Sequence, residues 1–585
     1  MASTRLFRLI GLAAVVVSTA CGSDDSSPVE PTPNPPLGLA VSATSSSTIR
    51  VTFTSTAGDN SYNIERAEGA AGAFAAVTSQ AAPATATTVT YDDSGLKPGT
   101  VYRYRVAAVR GTQTSTFTSE QQTTTVAFGT FTKDITGDIT ANTTWYPETT
   151  YVLKGFVHVG NGATLTIQAG TTIKGDYNTL GASLFILRGA KINAIGTAAA
   201  PIVFTSSQPA GQRKPGDWGG LIIIGNATTA RTGVSIEIEG TNTVAGNTPG
   251  TNYKVTYDGG NTDTDDSGEL RYVRVEFAGF APSLNNELNS FTFATVGSGT
   301  KLSYLQSMAG LDDSYEWFGG TVDADHLVSY ESGDDHFDQS EGYRGRIQYA
   351  IAFQSTQLDI RTGSGSLASD PEGIENDGCP ATAAGCTQGQ NTAPYTQPII
   401  ANFTLIGTGD VATSGSSGGI GMMIRRGSGG YYVNGVVARY PRAAVSLRDV
   451  ETYARAGNVA TPDLATSDLA LRNIYFTDVT TMFQATSGAN IQNTFDLAGN
   501  ALTQGAAQTA SLFTAFPATV SGTTNAASFD WTPAAGSPIA TGGLATFTGK
   551  LATVAGTKVA GTSFLGAADP AGVKWWQGWT VYYKN

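Results

Sequence analysis

Apolar and polar residues alternate along three early stretches of the chain. Tyr102 and Tyr104 fall on one face of an extended chain and Arg103 on the other, which is the period of a half-buried strand. The pattern therefore predicts a β-sandwich over residues 37–126. The three stretches are Thr48–Phe53 (TIRVTF), Ser61–Arg66 (SYNIER) and Val101–Val109 (VYRYRVAAV).

The pattern changes after about residue 126. Thr149–Gly175 and Ala182–Ser207 consist of short β-rich runs that Gly and Asn interrupt, and no helical pattern lies between them. These runs recur about every 20 residues, which is typical of a solenoid whose coils stack on one another. The fold class predicted from both patterns is all-β.

The first residues predict export. Arg5 and Arg8 precede an apolar run from Leu9 to Val17, which is too short for a membrane span of about 20 residues. Cys21 after Ser-Thr-Ala resembles the lipid-modified cysteine of bacterial lipoproteins. We therefore expect a lipoprotein signal peptide over 1–21, with simple secretion as the alternative, and the Pro-rich residues 22–36 read as a disordered tether.

The charge balance excludes one class of partner. The chain has 34 Lys and Arg against 47 Asp and Glu, a formal net charge of −13. Nucleic-acid binding requires a basic surface, so we expect no nucleic-acid partner. Cations and neutral polymers are the expected partners.

Two acidic segments with nearly the same sequence stand out in a chain that is only 14% charged. They are LDDSYEW (Leu311–Trp317) and GDDHFD (Gly333–Asp338). Their carboxylates pair at one constant offset of 22 residues, about one coil, so we expect six of them on neighbouring coils. Calcium binding and a solvent-facing ladder that caps turns both explain the repeat. The six residues are Asp312, Asp313, Glu316, Asp334, Asp335 and Asp338.

A second acidic loop, DGGNTDTDDSGE, is a weaker calcium candidate. It loosely resembles an EF-hand loop, although the spacing is wrong for one, and an exposed acidic turn is the alternative. Its candidate ligands are Asp258, Asp263, Asp265 and Glu269.

Cysteine parity predicts one disulfide. If Cys21 carries lipid, Cys379 and Cys386 remain to close the loop CPATAAGC, and such a bond is permitted outside the cytoplasm. Two unpaired thiols are the alternative. Zinc is not expected, because the three histidines are scattered.

Particular motifs extend the predicted folds to known families. The segment GLKPGTVYRYRVAA resembles the corner before the sixth strand of a fibronectin type III domain, with Tyr102 in the tyrosine-corner position. The motifs GDWGGLIIIGNA, DDSYEWFGG and WWQGWT resemble a family of exported bacterial β-helix proteins. This resemblance implies a right-handed parallel β-helix of the pectate-lyase superfold over residues 127–585. We expect Trp575, Trp576 and Trp579 to form a cap over its C-terminal end.

The resemblance to polysaccharide lyases and glycosidases of this fold supplies weak catalytic candidates. Lyases combine calcium with an Arg or Lys base, and glycosidases use paired Asp residues. Partnership with the acidic segments or plain surface charge is the alternative role for the arginines. The candidates are Asp334, Asp335, Arg344, Arg346, Arg425 and Arg426.

Three functions remain open at this point. The first is a lipid-anchored protein of the outer membrane or cell surface, or a secreted one, whose calcium-stabilised β-helix binds a polysaccharide or matrix polymer. The second is a polysaccharide lyase or hydrolase that acts in an acidic groove. The third is a structural surface component. Fold alone does not decide between them.

Overall fold

The computed structural model describes residues 30–241, 254–281, 286–355, 357–458, 460–484, 495–517 and 519–583. The chain divides after Val126 into two compact units. The predicted signal peptide, Cys21 and most of the predicted tether lie outside the described residues. No helix among the described residues is long and apolar enough to cross a bilayer.

The first unit is the predicted β-sandwich. One sheet has the order β1-β2-β5 and the other the order β4-β3-β6-β7, with β8 also paired to β6. The hydroxyl of Tyr102 accepts a hydrogen bond from the backbone N–H of Lys97 at 3.0 Å, so the predicted tyrosine corner is present. The strands are β1 (Leu37–Ala43), β2 (Thr48–Thr54), β3 (Ser61–Glu68), β4 (Ala75–Ala81), β5 (Thr88–Ser94), β6 (Val101–Arg110), β7 (Gln113–Thr114) and β8 (Gln121–Thr124).

The second unit is a parallel β-helix, which confirms the predicted fold class. Its strands β9 to β22 are β9 (Phe131–Ile135), β10 (Thr143–Trp145), β11 (Thr149–Leu153), β12 (Phe156–Val159), β13 (Thr164–Ile167), β14 (Thr172–Gly175), β15 (Ser183–Ile186), β16 (Lys191–Ile195), β17 (Ile202–Ser206), β18 (Leu221–Ile224), β19 (Ile236–Glu237), β20 (Thr256–Tyr257), β21 (Gly268–Glu276) and β22 (Phe291–Ala294).

The remaining strands and the three short helices continue the same unit. They are β23 (Lys301–Met308), β24 (Tyr315–Phe318), β25 (Asp323–Tyr330), β26 (Phe337–Ser340), β27 (Arg346–Phe353), β28 (Glu372–Asp377), β29 (Ile399–Ile406), β30 (Ile420–Arg425), β31 (Gly430–Ala438), β32 (Ala443–Leu447), β33 (Leu469–Thr477), β34 (Leu502–Gln504), β35 (Phe513–Ala515), β36 (Asp530–Pro533), α1 (Val450–Ala456), α2 (Thr509–Leu512) and α3 (Gly549–Ala555).

Two parallel sheets form the walls of the β-helix. The long sheet has 15 strands, and its central run is β33-β31-β29-β27-β25-β23-β21. The second sheet has nine strands in the order β12-β15-β18-β22-β24-β26-β28-β30-β32. From β21 to β33 the chain visits the two sheets alternately, so each of these coils adds one strand to each sheet, whereas each N-terminal coil adds two strands, such as β13 and β14, to the long sheet.

Each central strand of the long sheet bends at one residue with a left-handed backbone conformation. The bends fall on aromatic or asparagine residues, and asparagine tolerates this conformation better than most residues. Their alignment on successive strands forms a row that we call the bend row. It consists of Tyr272, Tyr304, His326, Tyr349, Asn402, Asn434 and Asn473, whose φ values lie between 50° and 64°.

The core between the sheets contains stacked aromatic rings. The rings of Phe291, Tyr315 and Phe337 stack along three successive coils with centroid separations of 5.0 and 5.5 Å. Trp317 is fully buried beside them and stacks on Phe293 at 5.7 Å. The aromatic residues of the two acidic segments are therefore core residues, and Trp317 is not available to stack on a sugar.

The C-terminal aromatic residues differ from the prediction. Trp575 and Trp579 pack edge-on against the bend row, contacting His326 at 4.9 Å and Tyr272 at 5.6 Å respectively. Together with Trp576, they join a cluster on the outer face of the long sheet. The C-terminal segment thus covers a side wall of the β-helix, because outward-facing apolar residues such as Val328 and Ile351 there require burial.

Candidate metal centre

Three neighbouring strands of the second sheet bring the acidic segments together. Glu316 on β24 pairs in register with Asp338 on β26, and Asp338 pairs with Glu375 on β28. Side chains alternate between the faces of a strand, so the core residues Tyr315 and Phe337 alternate with these outward carboxylates. The coil spacing predicted from sequence therefore places equivalent carboxylates on adjacent strands.

Eight carboxylates form a continuous cluster, which we call the acidic ladder. They fall into overlapping groups of three whose oxygens lie within 4.8 Å of one another, and all six predicted residues belong to these groups. The groups are Asp312 with Asp313 and Asp334, Asp313 with Glu316 and Asp338, Asp334 with Asp335 and Glu372, and Asp335 with Asp338 and Glu375.

Sequence reasoning missed Glu372 and Glu375. Asp338 and Glu375 are 37 residues apart, since the long insertion after β27 lengthens this coil beyond the 22-residue repeat. Ile374 takes the core position of Phe337 on the preceding strand. The signal was present as EGIEND (Glu372–Asp377), in which acidic residues flank one apolar residue.

Backbone amides satisfy part of the ladder. Asp313 Oδ1 accepts from the backbone N–H of Asp335 at 2.8 Å. Asp335 Oδ1 accepts from the backbone N–H of Glu372 at 2.5 Å. The turn-capping role proposed as an alternative to calcium is therefore real for these two residues. The ladder as a whole is not solvent-facing, however, because five of its eight members are buried and only Asp334, Asp338 and Glu375 are half-buried.

Burial makes the ionised ladder unfavourable. Asp335 is 1% exposed and Glu372 is 2% exposed. Burial, followed by the negative charges of Asp334 and Glu372, raises the pKa of Asp335 well above its usual range. Burial and then Asp377 raise the pKa of Glu375 to about 7. Mutual repulsion therefore keeps some of these carboxyl groups protonated unless a positive charge is bound beside them.

Further carboxylates reach the ladder from two loops. Burial, followed by the charge of Glu239, raises the pKa of Glu316. Burial, Asp334 and Glu287 do the same for Asp312. Glu239 itself has a pKa raised to about 8, by burial and then by Glu287. These loops increase the negative charge around the ladder.

One arginine joins the ladder directly. The Arg425 guanidinium forms ion pairs with Glu375 and, at 2.7 Å, with Asp377. Burial alone would lower its pKa, but Asp377 and Glu375 raise it above the ordinary value. Arg426 also pairs with Asp377. These arginines are held as counter-charges, and one guanidinium is far from neutralising eight carboxylates.

Several buried oxygens at the ladder have no hydrogen-bond donor among the described residues, and Asn289 and Glu372 carry two of them. Asn289 is 1% exposed, and its amide nitrogen donates to Glu316 while its Oδ1 has no partner. Glu372 Oε1 is likewise without a partner. A buried acceptor without a donor is destabilising, so a hydrogen-bond donor or a cation beside these two oxygens would stabilise the protein. A cluster of oxygen atoms only, irregular in shape, fits a hard cation such as calcium.

A small cavity of about 30 Å³ adjoins the ladder. It is lined by Asp334, His336, Glu372 and Tyr440, among others, and the buried Tyr440 hydroxyl has no hydrogen-bond partner in the described chain. Burial lowers the pKa of His336 to about 3, so this imidazole is neutral. The volume holds a water or an ion but is an order of magnitude too small for a sugar ring.

The second acidic loop does not assemble. Each of its four candidates has a separate partner in the described structure, so nothing brings their oxygens to one point. Asp258 pairs with Arg188, Asp263 with Arg344 at 3.0 Å, and Glu269 with Lys301 at 3.7 Å, while Asp265 accepts from the backbone N–H of Asn226 at 3.0 Å.

Arg344 and Arg346, the other predicted catalytic candidates, also have structural partners away from the acidic ladder. Besides its pairing with Asp263, Arg344 donates to the Thr228 hydroxyl. Arg346 pairs with Asp323 at 3.1 Å on the long sheet and donates to the carbonyl of Val554 at 2.8 Å. Both arginines are therefore held by partners outside the two acidic segments, so the predicted partnership with those segments is wrong for them.

The predicted disulfide is present. Cys379 and Cys386 are bonded, and both pack against Ala230. Arg231 next to it donates to the carbonyl of Ala384 at 2.9 Å and forms an ion pair with Glu341 at 2.7 Å. The bonded loop is therefore fixed to the body of the β-helix.

Comparisons with known proteins agree with this architecture. The family model described as "Pectate-lyase like beta helix domain" matches residues 137–529, and the fibronectin type III model matches residues 34–125. No curated protein matches the chain.

Several solved structures resemble parts of the chain. An Fn3-like protein from Clostridium thermocellum is 27% identical over 16% of this chain and 92% of its own, with a TM-score of 0.14. A pectate lyase from Erwinia chrysanthemi in complex with tetragalacturonic acid is 10% identical over 58% of this chain and 84% of its own, with a TM-score of 0.13. An alpha-1,3-glucanase from Streptomyces thermodiastaticus is 10% identical over 74% and 84%, with a TM-score of 0.22. TM-scores this low carry no argument about activity.

Proposed function

Because this chain belongs to the pectate-lyase-like beta helix domain family and carries a fibronectin type III domain ahead of the β-helix, we propose that it is an exported protein whose calcium-loaded β-helix binds an extracellular polysaccharide. Lipid attachment at Cys21 would hold it at the outer membrane or cell surface. The observation that carries the proposal is the acidic ladder.

Electrostatics supports a bound cation. Two like charges at 4.8 Å repel by about 3 kcal/mol at an effective dielectric constant of about 20. The eight carboxylates of the ladder make several such contacts. A divalent cation turns that repulsion into attraction and supplies the partner that Asn289 Oδ1 and Glu372 Oε1 need. Calcium suits the site, since it takes six to eight oxygen ligands without strict geometry.

The outer members of the ladder support binding of a polymer. Asp334, Asp338 and Glu375 are only half-buried, whereas Asp335 and Glu372 are inside. A cation held by the ladder would therefore keep one side toward solvent, where hydroxyl or carboxylate oxygens of a sugar chain are suitable ligands.

Binding without turnover is the favoured form of the proposal. A lyase base must accept a proton, and a guanidinium whose pKa is raised by two carboxylates is a poor acceptor. Asp335, one of the proposed hydrolytic residues, is buried and already accepts a backbone N–H. A general acid or base must instead reach the glycosidic bond.

The test is a panel of uronate-containing and neutral polysaccharides, measured for binding and for released products in calcium and in EGTA. We expect calcium-dependent binding of at least one polymer with no product. Asp359→Asn, an exposed carboxylate outside the ladder, serves as the matched control for Asp335→Asn. Released products would show that the protein is an enzyme and contradict binding without turnover. Equal binding of every polymer in calcium and in EGTA would refute the role of the ladder.

The predicted anchor needs its own measurement. Mass spectrometry of the exported protein should find a lipid on Cys21, and Cys21→Ser should release the protein from the membrane fraction. A protein cleaved before Cys21 with a free thiol would show simple secretion.

A further inference from the structure

Two tyrosines of the bend row face each other on neighbouring coils. Tyr272 on β21 and Tyr304 on β23 occupy equivalent positions, because Arg271 beside the first pairs in register with Ser303 beside the second. Their rings stack with a centroid separation of 4.4 Å and an angle of 19° between the ring planes. We call these two residues the tyrosine pair.

The surroundings of the tyrosine pair keep the two rings in contact. Both residues have left-handed φ values, 50° and 54°, on strands that lie about 4.8 Å apart. His326 stacks on Tyr304 at 4.3 Å, and Trp579 of the C-terminal segment contacts both rings of the pair edge-on at 5.6 and 6.3 Å. Close packing on these sides prevents either ring from turning away from the other.

The tyrosine pair is also within reach of small solutes. Both residues are half-buried, and Tyr304 lines an open cleft of about 330 Å³. Burial, followed by the charge of Tyr272, raises the pKa of Tyr304, so the two phenol oxygens lie close to each other. The contact between Tyr330 and Tyr582 differs, because these rings meet edge-on at 5.7 Å and both residues are buried.

Adjacent phenols with this geometry are suited to oxidative coupling. One-electron oxidation and loss of the hydroxyl proton turn a tyrosine into a phenoxyl radical, whose unpaired electron is shared by the oxygen and the ortho carbons of the ring. Two such radicals combine through their ortho carbons. Rings that are held in contact need no diffusional encounter, so coupling within the pair should be faster than coupling between molecules.

We propose that the tyrosine pair is a cross-linking site, at which a haem peroxidase with hydrogen peroxide, or an equivalent one-electron oxidant, joins the two rings as dityrosine. Each phenol gives up one electron and one proton, and these reduce one hydrogen peroxide to two water molecules. One carbon–carbon bond forms between the ortho carbons, and the hydrogen on each of those carbons then moves to the phenol oxygen. The bond ties together two coils whose tyrosines are 32 residues apart in the sequence, and it needs neither calcium nor a polysaccharide.

The test treats the full mature protein in EGTA with a haem peroxidase and hydrogen peroxide, and in parallel with a ruthenium photo-oxidant, which is small enough to enter the cleft. Monomeric protein should gain the blue fluorescence of dityrosine. Peptide mapping by mass spectrometry should find Tyr272 joined to Tyr304, with a mass lower by two hydrogen atoms than that of the separate peptides together.

Two conservative variants locate the reaction. Tyr304→Phe should lose the cross-link in the monomer, since phenylalanine has no phenol to oxidise. Tyr349→Phe is the matched control and should form the cross-link as the wild type does, because Tyr349 of the bend row stacks on the imidazole of His326, at 4.9 Å, and not on a phenol.

Three results would overturn the proposal. They are dityrosine that forms only in covalent dimers of the wild type, no dityrosine with either oxidant, and a Tyr304→Phe monomer that fluoresces as the wild type does. Peptide mapping of the wild type locates the bond directly, so the outcome does not depend on how well the variants fold.

Discussion

Glu316 and Asp338 lie 22 residues apart in the sequence and side by side in the structure, as in-register partners on β24 and β26. Neither carboxylate has an arginine or lysine within ion-pair distance in the described chain. Both point away from the aromatic core into a region that other carboxylates surround. Repetition of one coil therefore concentrates negative charge, and the protein's stability should depend on what neutralises it.

Calcium should stabilise the folded protein. Binding to the native state alone raises the free energy of unfolding by about 2.7 kcal/mol at a hundredfold excess over Kd. The melting temperature should therefore fall when EGTA replaces calcium, as measured by calorimetry. Asp335→Asn should remove most of this difference, because it keeps the shape and the acceptor oxygen but deletes a ligand charge.

The control for that prediction is Asp359→Asn, whose carboxylate is exposed and pairs with Lys214. It should retain the full calcium response. The wild type could instead melt at the same temperature in calcium and in EGTA, with no metal found by elemental analysis. The ladder would then bind no calcium, and its carboxylates would only accept backbone hydrogen bonds.

Metal-free protein should be more stable in mild acid than at neutral pH. The folded-state pKa of Glu375 is about 7 against an ordinary 4.5, so the folded state binds this proton more tightly than the unfolded state. The stabilisation is complete below pH 4.5 and is lost as the pH rises through about 7. Thermal melts in metal-depleted buffer should show the decline, and saturating calcium should abolish it. A melting temperature that does not change with pH in metal-depleted buffer would contradict this prediction.

Replacement of Phe337 tests the aromatic core beneath the ladder. Phe337→Ala should destabilise the β-helix by about 3–5 kcal/mol, because it leaves a cavity between Tyr315 and Ile374. Phe337→Leu should cost much less, since it refills most of the space. Chemical denaturation measures both, and similar losses for the two would mean that volume is not what matters there.

Loss of the disulfide should have a moderate effect. A ring this short restricts the unfolded chain modestly, so the Cys379→Ser/Cys386→Ser variant should lose about 2–3 kcal/mol. Calcium response should be unchanged, because the bond packs against Ala230 and not against the ladder. Alkylation of both thiols without reductant in the native protein would contradict the bond itself.

Asn434 should be hard to replace because it has two roles. Its φ of 59° is tolerated by Asn and Gly, and its Oδ1 accepts from the backbone N–H of Leu544 at 2.6 Å. Asn434→Gly removes this hydrogen bond and those that the amide nitrogen donates to Thr562, and Asn434→Ala also introduces backbone strain of about 1–2 kcal/mol. Denaturation should therefore rank wild type above Gly and Gly above Ala. If Asn434→Gly is no more stable than Asn434→Ala, the positive φ does not cause measurable strain in the alanine variant.

The sequence predicted those features that depend on local pattern. Alternation located the sandwich and the tyrosine corner at Tyr102, and a constant offset located six members of the acidic ladder. The sequence did not predict Glu372 and Glu375, because an insertion of unconstrained length interrupts the 22-residue repeat before them. Burial of the ladder depends on loops that carry Glu239 and Glu287, and no local pattern reveals where a loop folds back.

Position along the chain was also a poor guide to the C-terminal aromatic residues. Their place at the end of the sequence led to the expectation of an end cap. The outer face of the long sheet carries Val328, Ile351 and Phe353, however, and the C-terminal segment buries this apolar surface. Only the three-dimensional arrangement shows which apolar surface lacks a cover.

The C-terminal segment also changes how the solenoid should fold. Coils that contact only their neighbours acquire stability locally and in sequence order. Here the carbonyl of Trp579 accepts a hydrogen bond from Arg274, 305 residues earlier, and the carbonyl of Val581 accepts one from Gln306 on the next coil, 275 residues earlier. Such high contact order delays completion of the native state until the C-terminal segment is available to pack. Until then the side wall stays exposed, which makes the incompletely folded β-helix the species that chaperones and proteases encounter.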